Sequence, residues 1–278
     1  MTEYPETGSA SSLGMDIMAF LGEEESALRD GRTSRKAIEA AELDALLWVL
    51  EQKSKERPKR EEWTRFAWHP SSAGKCPRQL WLSTAGAYKD PRSVDQLGLR
   101  KLVFSNGDFF HYRTQANLYR MGRLVECEKP LAMKEDGLQF VGSCDGVVLI
   151  EGLPFVLELK SINDRGFKEV QKTADDGSYS DQIQLYMAMS GVPATVILYE
   201  DKDNQKPEAR FVRFDQGILD RIKETLKDVQ ARLEACGDPP PKPKKGEVDC
   251  FWCDYKGVCD NSLAIRSLRE SIGRRAGS

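Results

Sequence analysis

Val156-Leu157-Glu158-Leu159-Lys160 is the stretch on which the fold turns. Its alternation reads as a β-strand, whose successive side chains point to opposite faces, so Glu158 and Lys160 share one face while Leu157 and Leu159 share the other. Two opposite charges in an apolar strand cost on the order of several kcal/mol per ion unless a partner or a metal satisfies them. Just upstream, Glu151-Gly152-Leu153-Pro154 is a turn signal, and Leu138 to Ile150 reads as the preceding strand, so the pair is predicted to form a hairpin. Asp145 lies on that preceding strand, thirteen positions before Glu158. The hairpin can set the two carboxylates side by side, and the neighbouring Gly146 is expected to leave room for a ligand against the backbone. A carboxylate pair suits a hard divalent ion such as Mg2+. Lys160, a compact charge on the same face, could orient an attacking water and offset charge developing on a phosphate. The plainer alternative is a structural Glu-Lys ion pair beside an unrelated turn aspartate.

Outward from this hairpin, the elements alternate in type. A helix is expected from about Tyr179 to Ser190, with Ser178 and Asp181 as a capping box and Gly191 at its end. A strand, Ala194 to Tyr199, follows, and then a helix from Asp215 to Ala235 with Ile218, Ile222, Leu226, Val229 and Leu233 on one face. Near the start, Ser34 to about Arg57 reads as a helix stopped by Pro58. Its basic end (Lys53, Lys55, Arg57, Lys59, Arg60) is either a solvated face or a nucleic-acid contact. Met1 to Gly14, rich in Ser, Gly and Thr, is expected to be mobile. The fold class is therefore α/β, a mixed central sheet flanked by helices. The expected divisions are an N-terminal flexible and helical extension over residues 1–60, a catalytic unit over 61–262, and a basic tail over 263–278.

Composition narrows the function. The 278 residues carry 41 Lys and Arg against 44 Asp and Glu, a net charge of -3, which argues against general coating of nucleic acid and makes any such contact local. There is no apolar run of the roughly 18 residues that a membrane span needs and no basic-then-apolar leader, so a cytoplasmic protein without membrane partners is expected. Seven cysteines are poorly explained as a disulfide framework in that setting. Three of them, Cys250, Cys253 and Cys259, form a C-x2-C-x5-C tail behind the stiff Pro239-Pro240-Pro241 linker. Such spacing suits tetrahedral zinc or an iron-sulfur cluster, and three thiolates need a fourth ligand. Cys127, Cys144 and Cys236 lack the pattern and read as small buried residues. Trp63, Phe66, Trp68 and Trp81 could stack bases, with core packing the plainer role.

Asp145-(x12)-Glu158-Leu159-Lys160 resembles the signature of the PD-(D/E)XK nuclease superfamily. Gly107-Asp108-Phe109-Phe110-His111 is similar to the upstream G-x3-H element of its RecB-like branch, and Gln182-Ile183-Gln184-Leu185-Tyr186 to the downstream Q-x3-Y element. One cysteine before these motifs and three after resembles the arrangement in RecB-like exonucleases that carry a [4Fe-4S] cluster, among them CRISPR-associated adaptation nucleases and the AddB nuclease domain. The resemblance covers about Trp68 to Asp260. It implies a restriction-endonuclease-like core in which His111, Asp145, Glu158 and the Leu159 carbonyl hold Mg2+ or Mn2+. Lys160, Gln182 and Tyr186 would complete the catalytic pocket, and Cys76, Cys250, Cys253 and Cys259 would bind the cluster as a staple, zinc being the rival. The implied activity is exonucleolytic hydrolysis of DNA, single-stranded, in recombination, repair or phage- or CRISPR-related processing, with recombination or CRISPR adaptation proteins as partners. An inactive DNA-binding or assembly module and a structure-specific endonuclease are the alternatives.

Overall fold

The computed structural model describes residues 4–5, 8–9, 11–55, 66–172, 179–244, 250 and 253–276. In chain order the elements are β1 (Gly8–Ser9), α1 (Ser11–Arg29), α2 (Arg35–Ser54), α3 (Pro70–Ala73), α4 (Pro77–Ala85), α5 (Val94–Arg120), β2 (Leu124–Cys127), β3 (Pro130–Glu135), β4 (Leu138–Ser143), β5 (Gly146–Ile150), β6 (Leu153–Ile162), α6 (Asp164–Lys172), α7 (Ser180–Ser190), β7 (Ala194–Asp201), β8 (Pro207–Arg213), α8 (Gln216–Glu234), α9 (Lys256–Cys259) and α10 (Ser262–Ala276). The main sheet runs β1-β8-β7-β6-β5-β2. Its one parallel pair is β6 with β7, and the other pairings are antiparallel. The mixed α/β class expected from the sequence is what is found.

The alternation in β6 sorts the core. Leu157 and Leu159 pack with Phe110, Leu118, Val196, Leu198 and Phe211 on the face covered by α1, α2 and α5. Val156 lies on the opposite face, with Ile183, Tyr186 and Met187 of α7 and Ile197 and Tyr199 of β7. A further cluster gathers Leu80, Trp81 and Leu82 of α4 with Leu226, Val229 and Leu233 of α8 and Ile265 and Ile272 of α10. Phe66, Trp68 and Trp81 are all buried, so packing is the role of these three; Trp63 lies outside the described residues.

The β5–β6 hairpin forms with Gly146 opposite Leu157 and Ile150 opposite Leu153. Leu138 to Ile150, however, is two strands. β4 pairs with β3 in a separate two-stranded sheet, and β5 belongs to the main one. The chain changes sheets at Cys144-Asp145, where the Cys144 N–H donates to the Lys129 carbonyl at 3.2 Å and the Asp145 carbonyl accepts from the Glu128 N–H at 3.1 Å. Gly146 also has another reason than the one expected. A Cβ there would lie 2.5 Å from the Glu126 carbonyl oxygen and 2.9 Å from Leu124, so the glycine admits strand β2, not a ligand.

The helices hold their expected places with two corrections. Ser34 caps α2, its Oγ accepting from the Ala37 N–H at 3.2 Å, and Asp215 caps α8. Gly191, at φ 72°, closes α7 in the left-handed conformation. The start of α7 differs: Tyr179 occupies the cap position without a side-chain bond, Ser178 lies outside the described residues, and Asp181 binds Arg221 at 2.6 Å instead. The expected mobility of Met1 to Gly14 does not hold for its described part, because Gly8–Ser9 pairs with β8 and Leu13 is fully buried in the main core. Residues 262–276, which take in most of the basic tail, form a docked helix: Ile265 and Ile272 are buried, and Arg269 donates to the Cys236 carbonyl at 2.7 Å. Of the basic run on α2, Arg57, Lys59 and Arg60 lie outside the described residues.

Candidate active site

Asp145 stands at the junction where the chain enters β5, and its Oδ2 accepts the Leu159 N–H at 2.7 Å. This bond ties the aspartate across the hairpin to the residue between Glu158 and Lys160. The Asp145 Oδ1 faces His111 Nδ1 at 3.3 Å, so α5, packed against the leucine face of β6, brings the imidazole to the same end of the hairpin. Burial alone would lower the His111 pKa. The hydrogen bond and charge of Asp145 outweigh it and raise the imidazole above its ordinary value.

On the other face of β6, Glu158 is only 2% exposed. Its Oε1 binds Lys160 Nζ at 2.5 Å and accepts from Gln182 Nε2 at 2.9 Å. Gln182 also donates to the Tyr186 hydroxyl at 3.3 Å, as the four-residue helical spacing predicts. Lys160 Nζ lies 4.3 Å from the Tyr179 ring centroid, a cation–π contact. Burial and the nearby Asp145 charge raise the Glu158 carboxyl to about 7, against the opposing pull of Lys160 and His111. Burial would lower the Lys160 pKa, but the Glu158 carboxylate keeps it above the ordinary value, so the ammonium stays charged. Tyr186 is raised by burial and by Glu158, and its phenol stays protonated.

Every residue expected from the hairpin and helix motifs is therefore at or beside one end of the β5–β6 hairpin, in two linked groups. Asp145 with His111 forms one; Glu158 with Lys160, Gln182 and Tyr186 forms the other. Among the described residues, the ligand atoms that crowd together most closely are those of His111, Glu128 and Asp145, all within 4.8 Å of one another. Glu128 was not anticipated. It sits between β2 and β3 at φ 50°, in the stretch Glu126-Cys127-Glu128-Lys129, which has the look of an ordinary charged connection and carries no motif spacing. Gln115 was missed too, although its position one helical turn after His111 is a usable signal. It is fully buried and donates from Nε2 to Glu128 Oε1 at 3.0 Å and to the Asp145 carbonyl at 2.8 Å. Beyond Glu128 opens a cleft of about 400 Å3 lined by Trp48, Gln52, Lys53, Lys55 and Lys129, among others.

Of the three cysteines expected to be buried, Cys127 and Cys144 are, whereas Cys236 is only half-buried. The Cys127 and Cys144 thiols are pushed up to about 12, mainly by burial, which leaves them unreactive. The Cys253 thiol is raised by burial and, less, by the charges of Cys259, Cys76 and Cys250. None is in a disulfide. Their supporting elements are sewn together: Arg78 of α4 donates to the Cys259 carbonyl from Nε at 3.2 Å and Nη2 at 2.7 Å, and to the Pro240 carbonyl at 2.8 Å. The Asp90 carboxylate accepts the Gly257 N–H, and the Asp90 N–H donates to the Asp254 carbonyl at 2.7 Å. Four free thiols are the kind of donor set that an iron-sulfur centre or zinc requires.

A mixed sheet with acids and a lysine at a hairpin end defines a nuclease-type α/β core. The family model of the PD-(D/E)XK nuclease superfamily matches residues 25–260, and the chain belongs to that superfamily. Among solved structures, the crystal structure of SSO0001 is similar with a TM-score of 0.48 and 15% identity, over 78% of this chain and 94% of that one. An alkaline exonuclease from Laribacter hongkongensis gives a TM-score of 0.41 and 17% identity, over 61% of this chain and 88% of its own. The same exonuclease in complex with dAMP gives 0.40 and 19%, over 60% and 87%. No curated protein matches the chain. Among the described residues, no helix is long and apolar enough to cross a membrane.

Proposed function

We propose that the protein is an Mg2+- or Mn2+-dependent deoxyribonuclease of the RecB-like branch that degrades single-stranded DNA from an end. The observation that carries this reading is the pairing of Asp145 with His111 beside a buried Glu158 that is already held by Lys160 and Gln182. His111, Asp145, Glu158 and the Leu159 carbonyl would hold the ion. When bound, the ion supplies a water of lowered pKa and positive charge for the attacking and leaving oxygens of an in-line displacement. Glu158, titrating near neutrality, would give up its proton on binding a cation, while Lys160 and Tyr186 keep theirs. Lys160 keeps its own proton and acts as a donor to water or phosphate, and Gln182 and Tyr186 fix the carboxylate that anchors it. The Lys53, Lys55 and Lys129 cleft supports a local DNA path on a chain whose overall charge is negative.

Cys76, Cys250, Cys253 and Cys259 would carry a [4Fe-4S] cluster, with structural zinc as the rival. Bound between α4 and α9, it would act as a staple that closes residues 61–262 into one nuclease unit, with 1–60 as an extension. The cellular setting proposed is the cytoplasm, in recombination, repair or CRISPR-related DNA processing with protein partners from that machinery. The deciding experiment digests end-labelled linear and circular single-stranded DNA with Mg2+ or Mn2+, beside Asp145→Asn. Loss of linear DNA alone is the expected result. Cutting of the circle would make the protein an endonuclease, and equal activity in Asp145→Asn would remove the enzymatic reading.

A further inference from the structure

We infer that Glu128 is a further carboxylate ligand of the divalent ion and that Lys53, from α2, is its exchangeable counter-ion in the ion-free protein. This rests on the metal-dependent reading above and adds to it a residue set that no sequence motif marks.

Glu128 is fixed beside Asp145 by backbone as well as side chain. Its N–H donates to the Asp145 carbonyl, and its carboxylate shares the Gln115 amide with that same carbonyl. The resulting group of His111, Glu128 and Asp145 is tight enough for one ion. A second observation lies on Gln115, whose amide nitrogen spans Glu128 and the Asp145 carbonyl. Gln115 is fully buried, yet its Oε1 has no hydrogen-bond partner. An acceptor left unmade in such a place costs about 1–3 kcal/mol. Turning the amide over would aim that oxygen at the Glu128 carboxylate, so the orientation is set and the missing partner must be a donor. The waters that a small hard cation retains are such donors.

Lys53 binds the same Glu128 oxygen as Gln115. Its Nζ lies 2.8 Å from Glu128 Oε1 and 4.4 Å from the Tyr112 ring centroid. An ammonium and a divalent ion compete for the same carboxylate, so ion entry frees the ammonium. Once freed, Lys53 joins Lys55 and Lys129 in the cleft beyond Glu128, where it meets a phosphate. Loading of the ion and readiness for the nucleic acid are thereby coupled through one side chain of the N-terminal helix pair.

The test is calorimetric titration of the full-length protein with Mn2+, without nucleic acid, for wild type, Glu128→Gln, Lys53→Met and Asp145→Asn. Glu128→Gln should weaken Mn2+ binding by about tenfold or more, and Lys53→Met should tighten it several-fold by removing the competitor; the scale is that of changing one group around a bound metal. Wild-type affinity in Glu128→Gln, or weaker binding in Lys53→Met, overturns the inference. Should Glu128→Gln fail to fold by circular dichroism, Lys53→Met decides alone, since it keeps the helix and the ring contact: tighter binding supports the exchange, and unchanged or weaker binding rejects it. Asp145→Asn separates the two readings. Its loss of binding with Glu128→Gln unaffected sinks only this inference, whereas no measurable Mn2+ binding in the wild type sinks the metal-dependent function itself.

Discussion

The hairpin site and the region that carries Cys76, Cys250, Cys253 and Cys259 are built in opposite ways. At the hairpin, position comes from regular structure: the register of β5 on β6, the pitch of α7 and the face of α5 place charges that are then buried, Glu158 at 2% exposure. Around the cysteines, short elements and loops are held by side chains that bind backbone carbonyls and by exposed ion pairs, and Cys250 is exposed to solvent. Buried charge makes the first region sensitive to the loss of one partner. The second spreads its stability over several bonds, most of them worth little alone.

Asp145→Asn should break the hairpin side hardest. Nuclease activity is expected to fall by roughly 10^3-fold, the scale for removing a group that stabilises transition-state charge, while the melting temperature moves by only about 2 °C for one altered hydrogen bond. Titration of Glu158 comes next. Its folded pKa of about 7 lies above the usual carboxylate value, so the folded state binds the extra proton. Stability from this group is complete at low pH and is lost as pH rises from about 4.5 to 7, by up to about 3 kcal/mol. Melting curves in chelator should therefore fall across that window, and Glu158→Gln should flatten them.

Arg78→Ala tests the region around the cysteines. Losing its donors to the Cys259 and Pro240 carbonyls should cost about 2 kcal/mol, seen as a melting temperature lower by about 4–6 °C. Cleavage at low temperature should persist; if Arg78→Ala instead abolished activity in folded protein, the two regions would not be separable. Gln182→Ala is the smallest change, about tenfold in kcat, or roughly 1.4 kcal/mol, because Lys160 still holds Glu158. A loss as large as that of Asp145→Asn would mean that Gln182 itself touches the reacting atoms.

Strand alternation was readable because Leu157 and Leu159 had to be buried while Glu158 and Lys160 could not be buried without partners. Ser34 at the start of α2 and the glycine at 191 were readable because each answers a local backbone need. The switch of sheets at Cys144-Asp145 was hidden, since an uninterrupted run of strand-forming residues does not say which neighbour each half will pair with. Gly146 misled for the same reason: the atom that needs the space belongs to β2, some twenty residues upstream. Glu128 and Gln115 were hidden because their roles come from tertiary approach, not from spacing in the chain.

The bond from Arg78 to the Cys259 carbonyl joins residues 181 positions apart. At a synthesis rate of about 5–20 residues per second, α4 waits roughly 10–40 s for that partner to be made. Through that interval Leu80 and Trp81, fully packed in the finished protein, lack the helix that comes last to cover them. Output in the cell should thus depend on translation speed and on chaperones that shield apolar surface, more steeply than the melting temperature of the mature molecule suggests.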